Sequence, residues 1–369
     1  YKRQLNISAT GIEEFNLCHF KFFCNSGLKL KVRRKRQIGS LEQGNLIHQC
    51  LECVLSSCKN KEEFDKLSRN QISKIIEKCA DDYFESNMGG VIKRNARLES
   101  NLKRIKENIF KIISHLQNEL KQSEFRPINF EFNINEKGIA NLTGDNGIEI
   151  VIRGVIDRVD IYESNGEKYI RVIDYKTGKK IFSMSSLLYG INLQMLLYMF
   201  TITGSGGAYS DCNPAGVLYM PSGEIVCGRD RDESDNMEEY LNKHYKMNGV
   251  VLNDRAVLNA MEKDIQGIYI PAKLLKGDTG DGELLLNKRS SSCLTSSQFK
   301  KLRQHTEKII IDVCNELYSG NIDADPLVIS GGSPCDYCDY WSVCGNVPCE
   351  KYREADKNAE EKMLKIISD

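Results

Sequence analysis

The stretch Tyr169–Gly178, YIRVIDYKTG, sets how the rest of the chain is read. It is apolar and rich in Ile and Val, as a buried β-strand is, and alternation along a strand sends Asp174 and Lys176 to one face, Ile173 and Tyr175 to the other. A carboxylate and an ammonium then share the rim of an apolar sheet. A second strand, Glu149 to Ile156, leads into Asp157-Arg158-Val159-Asp160, where a hairpin is expected to turn back and deliver another carboxylate. Two acids and a lysine on neighbouring strand ends can hold a hard divalent cation beside a basic group. That is a working set for metal-assisted hydrolysis of a phosphodiester.

Working outward, the period-two pattern predicts strands at Ile128 to Ile134, Val159 to Ile161 and Pro214 to Met220, with Asn146-Gly147 and Asn165-Gly166 as turns. An apolar helix around Leu187 to Ile202 carries Gln194 and Tyr198 four apart, hence on one face. Upstream, apolar residues recur at helical spacing in Leu46 to Leu55, Ile72 to Phe84 and Leu102 to Leu120, and His48 lies on the first of these helices. Cap residues at Ser8-Ala-Thr predict a short N-terminal helix running to about Phe23 and bearing Cys18. A further helix is expected at Ser296 to Tyr318, and Lys276 to Gly282 reads as a loop. Helices, then strands, a helix and a strand make an α/β core with a helical preface.

The chain has 369 residues, equal numbers of acidic and basic side chains, and no apolar run near the ~20 residues of a membrane span. We expect a soluble cytoplasmic chain, without a membrane partner. It starts at Tyr1 with no apolar signal-peptide core, as a piece of a longer intracellular protein would. Lys29 to Arg36 packs six cations into eight residues, either a solvated face or a phosphate-contacting strip. In a cytosolic protein fourteen cysteines are not a disulfide framework. Cys335, Cys338 and Cys344 follow C-x2-C-x5-C, a metal-binding spacing for which Cys18 and Cys349 compete as fourth ligand. Spacing alone fits zinc and iron–sulfur equally. No Gly-x4-Gly-Lys-Ser/Thr loop is present, so ATP hydrolysis by this chain is not expected.

Gly44-x3-His48, Gly154-x2-Asp157-Arg158-x-Asp160, Ile173-Asp174-Tyr175-Lys176-Thr177 and Gln194-x3-Tyr198, in that order, resemble the motif set of RecB-type nucleases of the PD-(D/E)xK superfamily. With the flanking cysteines, the arrangement is similar to the nuclease domain of AddB-type subunits of bacterial helicase–nucleases. The resemblance implies one nuclease domain over residues 1–369, with a restriction-endonuclease-like mixed sheet (126–225), a helical insertion (40–125), an uncertain insertion (226–300), and an iron–sulfur staple joining 1–39 to 301–369. It implies that His48, Asp157, Asp174 and the Tyr175 carbonyl hold Mg2+ or Mn2+, and that Lys176 activates water and stabilises developing charge. Gln194 and Tyr198 would position the site or the strand. Cys18, Cys335, Cys338 and Cys344 would hold a [4Fe-4S] cluster, with Cys24 and Cys349 as spares. The implied function is exonuclease-like DNA cleavage in double-strand-break repair and recombination, beside an AddA-like partner subunit. Two alternatives share these motifs: a stand-alone nuclease like the shorter ones of CRISPR systems, and a non-catalytic iron–sulfur DNA-binding scaffold. A zinc-stabilised interaction domain would leave the acidic site unexplained.

Overall fold

The computed structural model describes residues 4–31, 39–88, 96–134, 142–145, 147–178, 180–224, 237–274, 292–329, 331–346 and 350–368. In chain order they form β1 (Gln4–Ser8), α1 (Ala9–Leu17), α2 (His19–Phe22), α3 (Ser40–Ser56), α4 (Lys61–Asp65), α5 (Arg69–Met88), α6 (Ala96–Gln122), β2 (Arg126–Asn133), β3 (Leu142–Thr143), β4 (Glu149–Arg153), β5 (Val155–Ser164) and β6 (Glu167–Lys176). There follow α7 (Met184–Leu187), α8 (Gln194–Thr203), β7 (Asn213–Pro221), α9 (Met237–Tyr245), β8 (Asn248–Leu252), α10 (Arg255–Met261), β9 (Cys293–Leu294), α11 (Ser296–Ser319), β10 (Leu327–Val328), β11 (Arg353–Glu354) and α12 (Ala359–Ser368). Among the described residues no helix is long and apolar enough to cross a membrane.

A six-stranded mixed sheet in the order β2-β5-β6-β7-β8-β9 forms the centre. The β5–β6 hairpin turns at Asn165-Gly166, where both residues have positive φ, as a two-residue hairpin loop needs. β6 and β7 are parallel, so the chain must cross over between them, and α8 makes that crossing. Every residue of α8 from Met195 to Thr203 is buried, in keeping with a sequence apolar on all sides. On α3, Leu46, Ile47, Cys50, Leu51, Val54 and Leu55 form a buried stripe against α5 and α6, which leaves His48 on the edge of the helix.

Several expectations change. The segment Glu149 to Ile156 is not one strand. It breaks at Gly154, β4 joining a small sheet with β1 and β3 while β5 enters the large one. A Cβ at Gly154 would lie 2.3 Å from Tyr198 Oη, so the chain bends where only glycine lets α8 approach. Asp157 therefore sits inside β5, and the hairpin does not turn back at Asp157–Asp160 but at Asn165-Gly166. β1 was not foreseen; it pairs in parallel with β4. The helix expected over Leu187 to Ile202 is two, α7 and α8, separated where Gly190 and Asn192 take positive φ. The region 226–300 contributes β8 and β9 to the main sheet, while Lys276 to Gly282 lies outside the described residues.

The N-terminal helix does not run to Phe23. Cys18 is extended, φ −168° and ψ 117°, and divides α1 from α2. α2 docks on the C-terminal segment: Phe20 N–H donates to Asp323 O at 3.0 Å, and His19 Nδ1 is 2.7 Å from Asp325 Oδ1. Arg353 adds a hydrogen bond to Asn16 O at 2.7 Å. β10 and β11 pair in parallel and bracket Cys335 to Cys344.

Candidate active site

Asp157 on β5, Tyr175 and Lys176 at the end of β6, and His48 on α3 converge at one edge of the main sheet. Asp157 Oδ2 accepts the Tyr175 backbone N–H at 2.7 Å. His48 Nε2 lies 2.7 Å from the Tyr175 carbonyl oxygen, and its Nδ1 lies 3.4 Å from Asp157 Oδ2. Asp174 is 2 % exposed, and its Oδ2 pairs with Lys176 Nζ at 2.7 Å. Strand alternation does what the sequence suggested: Asp174 and Lys176 share a face, while the Tyr175 hydroxyl accepts from Arg158 Nη1 at 3.2 Å in the interior.

Glu131, which the sequence reading missed, completes the group. It lies on β2 between Phe130 and Phe132, which pair with Arg158 and Ile156, so it stands beside Asp157. His48, Glu131 and Asp157 each offer one ligand atom, and these atoms lie within 4.8 Å of one another. Glu131 has φ 44°, a left-handed conformation that costs a non-glycine residue roughly 1–2 kcal/mol, and such outliers gather at functional sites. An acid flanked by two aromatics in a strand was the available signal; only the pairing with β5 gives it meaning.

The crowding of these acids shows in their proton affinities. Burial and the charge of Asp157 push Glu131 up to about 7 and Asp174 up to about 6. Burial opposes the charged form of His48, but hydrogen bonding and attraction to Asp157 outweigh it and raise His48 to about 9. Two carboxylates and an imidazole with ligand atoms within 4.8 Å of one another suit a divalent cation.

Tyr198 and Gln194 line the same region. They hydrogen-bond each other, and the buried Tyr198 hydroxyl, raised to about 12 by desolvation, covers Gly154. Asp160 and Arg158, though part of the same motif, are not in the site. With Arg171 and Glu119 they form a fully buried charge network, in which Asp160 Oδ2 is 2.7 Å from Arg158 Nη2 and 2.9 Å from Arg171 Nε. Glu119 Oε1 is 2.6 Å from Arg171 Nη2.

At the other end of α1, Cys18, Cys335, Cys338 and Cys344 line one cavity of about 240 Å³, with Trp341 and Phe20. Cys24 is buried close enough to Cys338 and Cys344 that their charges, after burial itself, push its thiol upward. Cys349 and most of the basic strip, residues 32–36, lie outside the described residues.

Comparison with known families decides the class: the PD-(D/E)XK nuclease superfamily matches residues 6–345. The chain belongs to this superfamily. Its mixed sheet flanked by helices is the PD-(D/E)XK core, and Asp174-Tyr175-Lys176 spells the D-x-K of the family name. Its relatives include a Clostridium botulinum (strain Langeland) protein named as an ATP-dependent helicase/deoxyribonuclease subunit, 32% identical over 98% of this chain. Proteins of the same name from Thermoanaerobacter sp. (strain X514) and Clostridioides difficile (strain 630) are each 28% identical, over 100% and 98% of the chain. The chain spans 32% of the length of each, about a third.

Proposed function

We propose that this chain is the nuclease module of a helicase–nuclease, cutting DNA phosphodiesters in exonuclease fashion during double-strand-break repair and recombination, beside an AddA-like subunit. The observation that carries the reading is the convergence of His48, Glu131, Asp157, Asp174 and Lys176 at one sheet edge. His48, Glu131, Asp157, Asp174 and the Tyr175 carbonyl would hold the divalent ion. When bound, such an ion supplies charge stabilisation at the phosphoryl oxygens and lowers the pKa of attacking water. Lys176, fixed by Asp174, presents an ammonium to the charge that grows on the reacting phosphate. Gln194 and Tyr198 wall the site and orient the strand. A scaffold that had lost catalysis has no use for the strained Glu131 backbone beside His48 and Asp157.

Cys18, Cys335, Cys338 and Cys344 would hold a [4Fe-4S] cluster. A tetrahedral zinc site, with Zn–S near 2.3 Å, spaces its sulfurs only about 3.8 Å apart. Among the described residues no three of these thiols lie within 4.8 Å of one another, and a cavity separates them, which favours the larger group.

Cleavage of labelled single-stranded DNA tests the reading. Replacing Asp157 or Lys176 by Ala should reduce Mg2+-dependent cleavage by about 10³-fold or more while circular dichroism stays native. Undiminished cleavage by either variant rejects it.

A further inference from the structure

Glu13 lies on α1, one turn and a half before Cys18, and the metal chemistry above makes no use of it. Its side chain is 14% exposed. Glu13 Oε1 accepts the backbone N–H of Gln194, the first residue of α8, at 3.1 Å. Its Oε2 is 3.6 Å from Lys180 Nζ. Asn16, one turn on, repeats the link by donating to Gly190 O at 3.2 Å, in the connection that leads into α8.

α8 cannot cap itself, because Leu193 stands at its N-cap. Its first N–H groups need acceptors from elsewhere. A carboxylate brought in by another helix satisfies one of them and stands at the favourable end of the helix dipole. Glu13 stands in the same region as the centre, where its charge and those of Asp157 and Asp174 all act on the Tyr198 hydroxyl. Beside it Tyr219, 1 % exposed, pairs in register with Asp174 and has the Lys180 ammonium 5.7 Å over its ring. A half-buried carboxylate whose oxygen is spent on the backbone of another helix calls for a positional reason.

We propose that Glu13 is a positioning residue of the nuclease centre: by capping α8 it fixes where Gln194 and Tyr198 stand relative to Asp157 and Asp174. The proposal rests on the nuclease reading. Gln194 opens α8, and Tyr198, one turn later, covers Gly154, three residues before Asp157. A shift at the start of α8 therefore moves the wall of the metal site. The rest of α8 is held by the core, so removing the cap re-seats its first turn rather than unfolding it.

The test is steady-state cleavage of a single-stranded oligonucleotide with Mg2+, using the full chain and Glu13→Ala, Glu13→Gln, Gln194→Ala and Tyr198→Phe alone and combined. Misplacement by a fraction of an ångström to an ångström should cost Glu13→Ala roughly 10- to 100-fold in kcat, with KM nearly unchanged. Glu13→Gln, whose amide oxygen still accepts from Gln194 N–H, should recover most of that loss. Because Glu13 acts through its neighbours, Glu13→Ala should cost less than about threefold in the Gln194→Ala, Tyr198→Phe background. A wild-type kcat in Glu13→Ala, or a loss that multiplies in full on that background, overturns the proposal. Should Glu13→Ala not fold, Glu13→Asp, which withdraws the carboxylate by one methylene, carries the same comparison. Asp174→Ala run in parallel separates the two failures. If it cuts like wild type, the nuclease reading falls and this proposal with it; if it is inactive while Glu13 behaves independently, only the role of Glu13 falls.

Discussion

At Glu131, Asp174 and His48 the fold holds charges in an arrangement that favours bound protons. His48 has its affinity raised from an ordinary 6.5 to about 9, so the stability it contributes is full below pH 6.5 and is lost as pH rises through 9. Glu131 and Asp174, raised from 4.5 to about 7 and from 3.8 to about 6, lose stability as pH climbs between those values, and the loss is complete above them. All three slopes have one sign. These three groups should make metal-free protein lose stability between pH 4.5 and pH 9, and Glu131→Gln, uncharged throughout, should flatten the part of that slope below pH 7. Calorimetric melts across this window check it, and an unchanged slope in Glu131→Gln would show that Glu131 is not coupled to the group. Asp157, Asp174, Lys176 and His48 were legible as sequence because their motifs are local and ordered. Glu131 was not, because its partnership with Asp157 is set by the β2–β5 register, which nothing in either strand states alone.

At the scale of elements, the Gly154-x2-Asp157-Arg158-x-Asp160 motif performs two tasks on two faces of β5. Asp157 faces the site, and Arg158 and Asp160 face inward to meet Arg171 of β6 and Glu119 of α6. This network ties the helical region to the strands that carry the acids, and Arg171 also lies over the Phe125 ring at 4.9 Å. Removing one member of a buried set leaves the others unpaired. Asp160→Ala should cost about 3–5 kcal/mol by denaturant titration, because it leaves Arg158 and Arg171 short of a carboxylate partner in the interior. A cost below about 1 kcal/mol would contradict the network's role. Sequence periodicity found α3, α5, α6, α8 and α11 and the strands β2 and β4 to β7, yet joined β4 to β5 and α7 to α8, and it gave neither β1, β3 and β8 to β11 nor α4, α9, α10 and α12. Both breaks depend on approaches between distant parts, α8 onto Gly154 and Asn16 onto Gly190, that a local pattern does not contain.

Across the whole molecule, α1 connects two centres: Glu13 reaches the start of α8, and Cys18, at the break before α2, faces the C-terminal cysteines. The N- and C-terminal segments meet where α2 contacts Asp323 and Asp325 and where Arg353 reaches Asn16, and Cys18, Cys335, Cys338 and Cys344 line one cavity beside these contacts. A ligand more than three hundred residues from its companions closes a very long loop, so a group bound there stabilises the domain as a unit. Protein purified without oxygen should be brown and contain about four iron and four sulfide per chain. Cys18→Ala should lose the colour and lower the unfolding temperature as much as Cys338→Ala. Full iron content in Cys18→Ala would place the fourth ligand elsewhere, with Cys24 next in line. The central claim, that the acids of β2, β5 and β6 together with His48 form a metal centre, is tested most directly by locating Mn2+ in crystals through its anomalous scattering. A single strong peak bonded to Asp157, Glu131 and His48 is expected, and it should vanish in Asp157→Ala. Manganese bound elsewhere, or no peak in protein that cleaves DNA with Mn2+, would contradict it.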